Sequence, residues 1–430
     1  MHRTGWYRFI CREWCLSDEP RMTVRELTVL GSRSLVEPPA VADRYSVIAS
    51  CLALATVGFL TSMGMPMVIA ALIQQYRYTE GDAGYVASTE YLGMLAASAV
   101  VSALVLKVSR RKLALAGIMI AVASNGISLF VTALGPVLAI RFLSGLGCGM
   151  AYAVAVAVLA GTSHTVRNFM FLVFANAVTN VLVLFAFPSI LDHWHLAGIF
   201  VAYCAVLIAT SFCVPWLPAE FAPARRPLLE SGGLQEKSPP HQWVLWLCLF
   251  AVFCFYMMIG GYWAFIVPLG VSIGFDTEFV GQMLSAGILL SILSCLAAYR
   301  LSQHLGQSKP LLFALGIIAI THVGGGVLFG PLAFLIGLVS VNFFWSFTDI
   351  YQFGTIANID DSGVFASRIQ GAQMMGYVVS PAWAGWLLDH KLGYPRLLIL
   401  FGAYVATAFA AYVVVYVTLR RTAPELADAG

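Results

Sequence analysis

The feature that most limits what this chain can fold into is a recurring uncharged apolar run of about 20 residues or more, separated from the next by a short polar break. A bilayer core about 30 Å thick needs about 20 apolar residues per helical crossing. Inside lipid the backbone must satisfy its own polar groups, which a helix does within one segment. Twelve such runs are read, at 47–73, 83–106, 113–134, 136–161, 166–190, 195–217, 243–270, 278–300, 311–330, 331–356, 367–388 and 394–419. Two boundaries rest on a single proline: Gly135-Pro136 divides the third run from the fourth, and Gly330-Pro331 the ninth from the tenth. The composition agrees, with 60% apolar and 10% charged residues, against roughly 45–50% and 25% in soluble domains. The expectation is an all-α integral membrane protein. A formal net charge of +3 over 430 residues leaves no basic surface for nucleic acid.

Loop charges test the count independently, because Lys and Arg accumulate in cytoplasmic loops. With both termini inside, twenty of the 24 basic residues fall on the cytoplasmic side. They are the seven arginines before residue 46, then Lys107, Arg110, Arg111, Lys112, Arg167, Arg225, Arg226, Lys237, Arg300, Lys309, Arg368, Arg420 and Arg421. Arg77, Lys391 and Arg396 fall outside, and Arg141 lies within a run. An odd number of spans would scramble this bias. Both termini are therefore expected in the cytoplasm, and the short loops suit a bacterial inner membrane.

Residues 1–46 alternate arginines with acids and lack the apolar core of a secretory signal, so they read as a cytoplasmic arm. Met22 is an alternative start, which would leave Cys11 and Cys15 outside the mature chain. Cysteines 51, 148, 204, 213, 248, 254 and 295 sit within apolar runs without a CxxC pair, as small packing residues. Neither a metal nor a disulfide framework is expected.

The substantial interior polar stretch is 218–242, with five prolines, Gly232-Gly233 and charges of both signs, a linker composition. It divides a six-helix bundle at 47–217 from a second at 243–419, followed by a tail at 420–430. The halves echo each other: Leu191-Asp192-His193 recurs as Leu388-Asp389-His390, and Gly135-Pro136 as Gly330-Pro331. Internal repeats around a central pathway are how alternating-access carriers are built.

Two motifs make a resemblance specific. Arg141-Phe-Leu-Ser-Gly145-Leu-Gly147 resembles the Arg-x-x-x-Gly-x-Gly pattern on the fourth helix of the major facilitator superfamily. The basic loop Lys107, Arg110, Arg111, Lys112 resembles that superfamily's Gly-x-x-x-Asp-Arg-x-Gly-Arg-Arg gate loop, with Ser102, Leu106, Lys107 and Ser109 in place of its Gly, Asp, Arg and Gly. Gly376-x-x-x-Ser380-Pro381-x-x-Ala384-Gly385 on the eleventh helix resembles a kink motif that drug/proton antiporters carry on their fifth, where this chain has none. The resemblance implies two pseudo-symmetric six-helix bundles, with helices one, four, seven and ten lining a central cavity.

Charged side chains inside spans are costly and default to functional candidates. Glu90 and Arg141 lie at similar depths and are expected to pair, as a structural clamp or as a proton switch in which Glu90 releases Arg141. On the tenth span Asn342, Trp345, Asp349 and Gln352 recur at helical spacing and form one polar face, with Asp349 as the proton site. Gly260-Gly261-Tyr262-Trp263 above Pro268 predicts a loosened backbone beside two polar-tipped rings in the cavity. Asn176 and Asn180, and Gln370, Gln373 and Tyr377, are expected to face the same interior or to bond between helices. His322 reads as a packed neutral histidine. Asp192, His193 and His195 sit at a helix end and read as a cap or gate contact.

These readings converge on a non-enzymatic secondary carrier of a small organic solute, working by alternating access with proton or other cation coupling, as a symport. No cofactor is expected, and the lack of GxxxxGK[ST] argues against ATP drive. A monomer in the lipid bilayer is the expected form. A receptor or scaffold on a carrier fold and a polytopic membrane enzyme are the alternatives.

Overall fold

In the computed structural model, residues 43–104, 107–218, 242–360 and 364–427 are described. The arm before residue 43, with the Met22 and Cys11/Cys15 readings, lies outside them, as does nearly all of the 218–242 linker. All regular structure among the described residues is helical.

Among the described residues, eight helices are long and apolar enough to cross a membrane. They are Glu80–Leu104, Leu134–Leu159, Arg167–Trp216, Gln242–Ser272, Thr277–Ser302, Ser308–Val327, Pro331–Ile359 and Tyr394–Thr422. The third of these holds two passes, because His195 adopts φ 56°, ψ −162° and bends the chain between them. Three further passes are shorter or more polar: the broken segment Tyr45–Gly58, Leu60–Met63 and Met65–Tyr76, the helix Arg110–Ile127, and Val364–Asp389. Spans are numbered one to twelve in this chain order.

Several boundaries differ from the sequence reading. The first span is interrupted at Phe59 and Gly64, and Pro66, which lacks a donor N–H, follows the second interruption. The third span ends at Ile127, and the fourth begins at Leu134, so Gly135-Pro136 lies within a first turn rather than at a break. A proline is tolerated there because first-turn N–H groups have no helical acceptor. At the tenth span Gly330 is the N-cap and Pro331 opens the helix, as expected.

Packing repeats between the halves. The second span packs on the fourth as the eighth does on the tenth, and the third on the fourth as the ninth does on the tenth. The duplicated tripeptides behave alike too: ring Nδ1 of His193 lies 2.8 Å from the Ser189 carbonyl, and that of His390 2.8 Å from the Trp386 carbonyl. The seventh span is buried along nearly its whole length, which suits a helix apolar on every side. Large apolar residues on peripheral spans, such as Met170 and Ile320 at 67% and 69% exposure, form the surface a bilayer covers.

The halves meet where the second span crosses the eleventh, the fifth crosses the eighth and the first crosses the seventh. Hydrogen bonds joining them among the described residues run from mid-span to the end bearing the turns at 77–79 and 390–393, here called the distal end. Thr79 donates to Asp389 at 2.8 Å, the Ala382 amide to Ser88 Oγ at 2.8 Å, Trp263 to the Ser62 carbonyl at 3.0 Å, and Ser285 to the Val181 carbonyl at 3.3 Å. Small residues permit this approach: a Cβ on Gly84 would lie 2.3 Å from the Pro381 carbonyl oxygen, and one on Gly385 2.3 Å from that of Glu80. The distal end is closed.

Candidate functional site

The tenth span carries Asp349 towards the seventh and eleventh, and four side chains converge there. Tyr256 donates its hydroxyl to Asp349 Oδ2 at 2.8 Å. The same hydroxyl accepts from Gln373 Nε2 at 2.8 Å and from Trp345 Nε1 at 3.4 Å. One phenol oxygen is thus filled by the acid, the amide and the indole, and it fixes all three. Asp349 Oδ1 is buried with no hydrogen-bond partner. A buried polar atom left bare costs about 1–3 kcal/mol, so this oxygen has an unmet place for a proton or a hydrogen-bond donor.

Aromatic rings surround the knot. Tyr377 packs edge-on against Tyr256 at 5.3 Å between centroids and, on its other side, against Tyr91 of the first half at 5.0 Å. Trp263 meets Trp345 at 5.9 Å and reaches across the seam to the Ser62 carbonyl. The Tyr91 hydroxyl is buried without a partner. Both halves therefore contribute aromatic side chains around the Asp349 carboxyl group.

The remaining polar candidates separate from this site. Asn342 bonds the Leu338 carbonyl and presses against Gly287 of the eighth span, where a Cβ would lie 2.8 Å from the amide. It lies two turns from Asp349 and serves helix packing. Gln352 is fully buried, with neither amide atom partnered. Tyr262 turns away from Trp263, because neighbours on a helix are about 100° apart. It packs edge-on against His322 at 5.0 Å and lines a small void within the second half. His322 is buried with Nδ1 held 2.8 Å from the Ile318 carbonyl. The backbone at Gly260-Gly261 is continuous helix, not loosened. The two glycines serve close approach instead: added Cβ atoms would meet Tyr377 Cα at 3.0 Å and Ser380 Oγ at 2.5 Å. Gln370 is exposed, whereas Asn176 and Asn180 are half-buried with their Oδ1 atoms unpartnered.

Glu90 and Arg141 do meet, at 3.7 Å, and both are almost fully buried. Arg141 also donates to Asn125 Oδ1 at 3.1 Å and Ser128 Oγ at 2.6 Å, and its guanidinium lies over the Phe200 ring. Ser144 donates to Glu90 Oε1 at 3.2 Å. Gly145 makes the pairing possible, since its Cα faces the Glu90 backbone with no room for a side chain. The network ties the second, third, fourth and sixth spans inside one half.

Tyr256 is not among the sequence candidates. It precedes Trp263 by seven residues, which is nearly two full turns, so the two share a face of the seventh span. That spacing is the available signal.

The sequence matches the Major Facilitator Superfamily over residues 51–361. The chain belongs to that superfamily. Solved structures agree in fold. The nucleoside transporter NupG is similar with a TM-score of 0.65 at 12% identity, covering 86% of this chain and 99% of its own. A D-xylose-proton symporter gives 0.67 at 15%, covering 86% and 97%. A bacterial homologue of the human lysosomal transporter Spinster, in an inward-facing and occupied conformation, gives 0.65 at 10%, covering 88% and 97%. Among curated proteins nothing matches the sequence.

Arg111 Nε donates to the Leu217 carbonyl at 2.6 Å, and Arg110 is buried at the start of the third span. The Ser380-Pro381 motif sits on the halves' seam. Ser380 Oγ donates to the Met257 carbonyl, and the Ala382 amide, beside the proline break, bonds across the seam to Ser88. The motif thus packs at the distal seam between the second and eleventh spans.

Proposed function

We propose that this protein is a secondary active carrier that moves a small organic solute across the bilayer by alternating access, with proton coupling through Asp349. The observation that carries the reading is the bare Oδ1 of Asp349, set in a knot of Tyr256, Gln373 and Trp345 between the two halves. A carboxyl group there can exchange a proton and touch a solute in the same place. The closed distal end supplies one gate of the cycle. With both termini in the cytoplasm of a bacterial cell and the carrier in its inner membrane, the distal end faces outward and the site is reached from inside. One chain holds both halves of the pathway and works as a monomer.

Within this reading Tyr256, Trp263, Trp345, Gln373 and Tyr377 contact the solute. Asn176, Asn180 and Gln370 bond it on the approach. Glu90 and Arg141 are a clamp that lets the first half rock as one body, rather than a second proton site. Lys107, Arg110, Arg111 and Lys112 brace the proximal gate from the first half.

The test is transport in proteoliposomes with an imposed pH gradient, using the solute that most raises the melting temperature of the purified protein. Wild-type protein accumulates it when the gradient is present and only equilibrates it when the gradient is collapsed. Asp349→Asn should lose gradient-driven accumulation. Unchanged accumulation by that variant overturns the coupling role, and absence of flux in wild-type vesicles overturns the carrier reading.

A further inference from the structure

Among the described residues Asp349 has no positive partner. Arg141 pairs instead with Glu90, inside the first half, and is joined to Phe200, Asn125 and Ser128. The titratable groups that neighbour Asp349 are Tyr256 on the seventh span, Cys295 on the eighth, Tyr377 on the eleventh and Tyr412 on the twelfth. All are phenols or a thiol, uncharged at neutral pH at their ordinary values. His322 belongs to the separate void beside Tyr262. The site is thus a single carboxyl group with no built-in counter-ion.

Its walls are specific as well. Trp263, Trp345, Tyr256, Tyr377 and Tyr91 bring ring after ring to the same place, in contact at 5.0–5.9 Å between centroids. Ring faces carry negative charge density and attract cations, indole most strongly. An anionic solute would meet a carboxyl group and five rings with no cation to hold it. A sugar would find Gln373, whose Nε2 is already committed to Tyr256. A monovalent organic cation finds the bare Oδ1 as its counter-ion and aromatic rings beside it to lie against.

From this we infer that the solute is an organic monocation that competes with a proton for Asp349, so that the carrier exchanges protons for organic cations. The inference rests on the carrier reading and changes its sense from symport to antiport. The balance is simple. Bound cation requires ionised Asp349, so loading the site sends the carboxyl proton to water, and reprotonation expels the cation. Net charge at the site is the same in both states, neutral with the proton and neutral with the monocation.

The decisive experiment uses the purified full-length protein in detergent, in weakly buffered solution. It is mixed with permanent cations of increasing size, tetramethylammonium, tetraethylammonium, benzyltrimethylammonium and tetraphenylphosphonium, and with neutral triphenylphosphine oxide. These cations carry no proton of their own, so any acid released comes from the protein. At a pH where the carboxyl is protonated, at least one should bind with release of close to one proton per chain. Its affinity should rise up to tenfold per pH unit across that range. The neutral oxide should release none. Asp349→Asn, verified as folded by an unchanged elution profile and melting curve, should lose the proton release and at least tenfold in affinity, and Asp349→Glu should restore both. Failure of every cation to bind, or binding without proton release, overturns the proposal, as does equal binding of the oxide. The two readings fail separately. Proton-linked cation binding without flux in vesicles would sink the carrier reading and the exchange with it, and leave the proton-linked cation site at Asp349. Gradient-driven uptake of a neutral solute with no cation binding would do the reverse.

Discussion

The Tyr256 hydroxyl stands 2.8 Å from Asp349 Oδ2 and 2.8 Å from Gln373 Nε2, so one side chain of the seventh span fixes an acid on the tenth and an amide on the eleventh. Removing that hydroxyl leaves three polar groups short of a partner while changing little in volume. A hydrogen bond to a charged group contributes about 1.5–3 kcal/mol, which corresponds to roughly 10- to 150-fold in affinity. Tyr256→Phe should therefore weaken solute binding by at least tenfold with the protein still folded. Titration calorimetry or a ligand-shifted melting curve checks it, and an unchanged affinity would remove Tyr256 from the site.

Glu90 and Arg141 form a pair at 3.7 Å with under 3% of either side chain exposed. Removing one partner of a buried pair typically costs about 3–5 kcal/mol, because the other charge stays buried and unpaired. Glu90→Gln and Arg141→Met should each lower the melting temperature sharply in detergent. The double variant should recover part of the loss, since it leaves no charge uncompensated. Where Glu90→Gln can be reconstituted, its gradient-driven accumulation should persist. Loss of coupling by a folded Glu90→Gln would move the proton site from the tenth span to the second.

Much of the architecture was legible because lipid leaves a chain few options. Apolar runs, alternating basic loops and the repeated Leu-Asp-His tripeptide pointed to twelve passes in two related halves, and the Glu90–Arg141 pairing followed from depth alone. What spacing cannot read is which flank of a buried helix faces which neighbour. The seventh span is apolar on all sides, so no stripe told Tyr262 from Trp263, and they point to different partners. Asn342 shares a face with Asp349 yet is taken by Gly287, a contact set by how closely the eighth span approaches. The glycine pair at 260–261 has two uses, bending and close packing, and only the position of the eleventh span decides between them.

His195 holds φ 56° and ψ −162° at the bend between the fifth and sixth spans. A non-glycine residue in such a conformation costs about 1–3 kcal/mol. The ring is exposed, so removing it loses little packing. His195→Gly should keep or raise the melting temperature, whereas His195→Val, with a branched Cβ at positive φ, should lower it. A fall in both variants would mean that the histidine ring itself supports the turn.

The distal gate depends on the absence of a side chain at Gly84. A Cβ there would stand 2.3 Å from the Pro381 carbonyl oxygen, which is backbone and can move only with the eleventh span. Helix packing inside the first half does not depend on the same contact, so Gly84→Val should fold and yet resist distal closure. Spin labels on the exposed residues Tyr85 and Trp386, at the distal ends of the second and eleventh spans, would report the change by double electron–electron resonance. The variant should show a longer mean distance than the parent and slower transport, with solute now reaching the site from the distal side. Asp389→Asn offers a milder companion, because an amide oxygen can still accept from Thr79, and it should leave the distance distribution near the parent's. An unchanged distance in Gly84→Val would show that the seam between the second and eleventh spans yields locally and that the gate closes elsewhere.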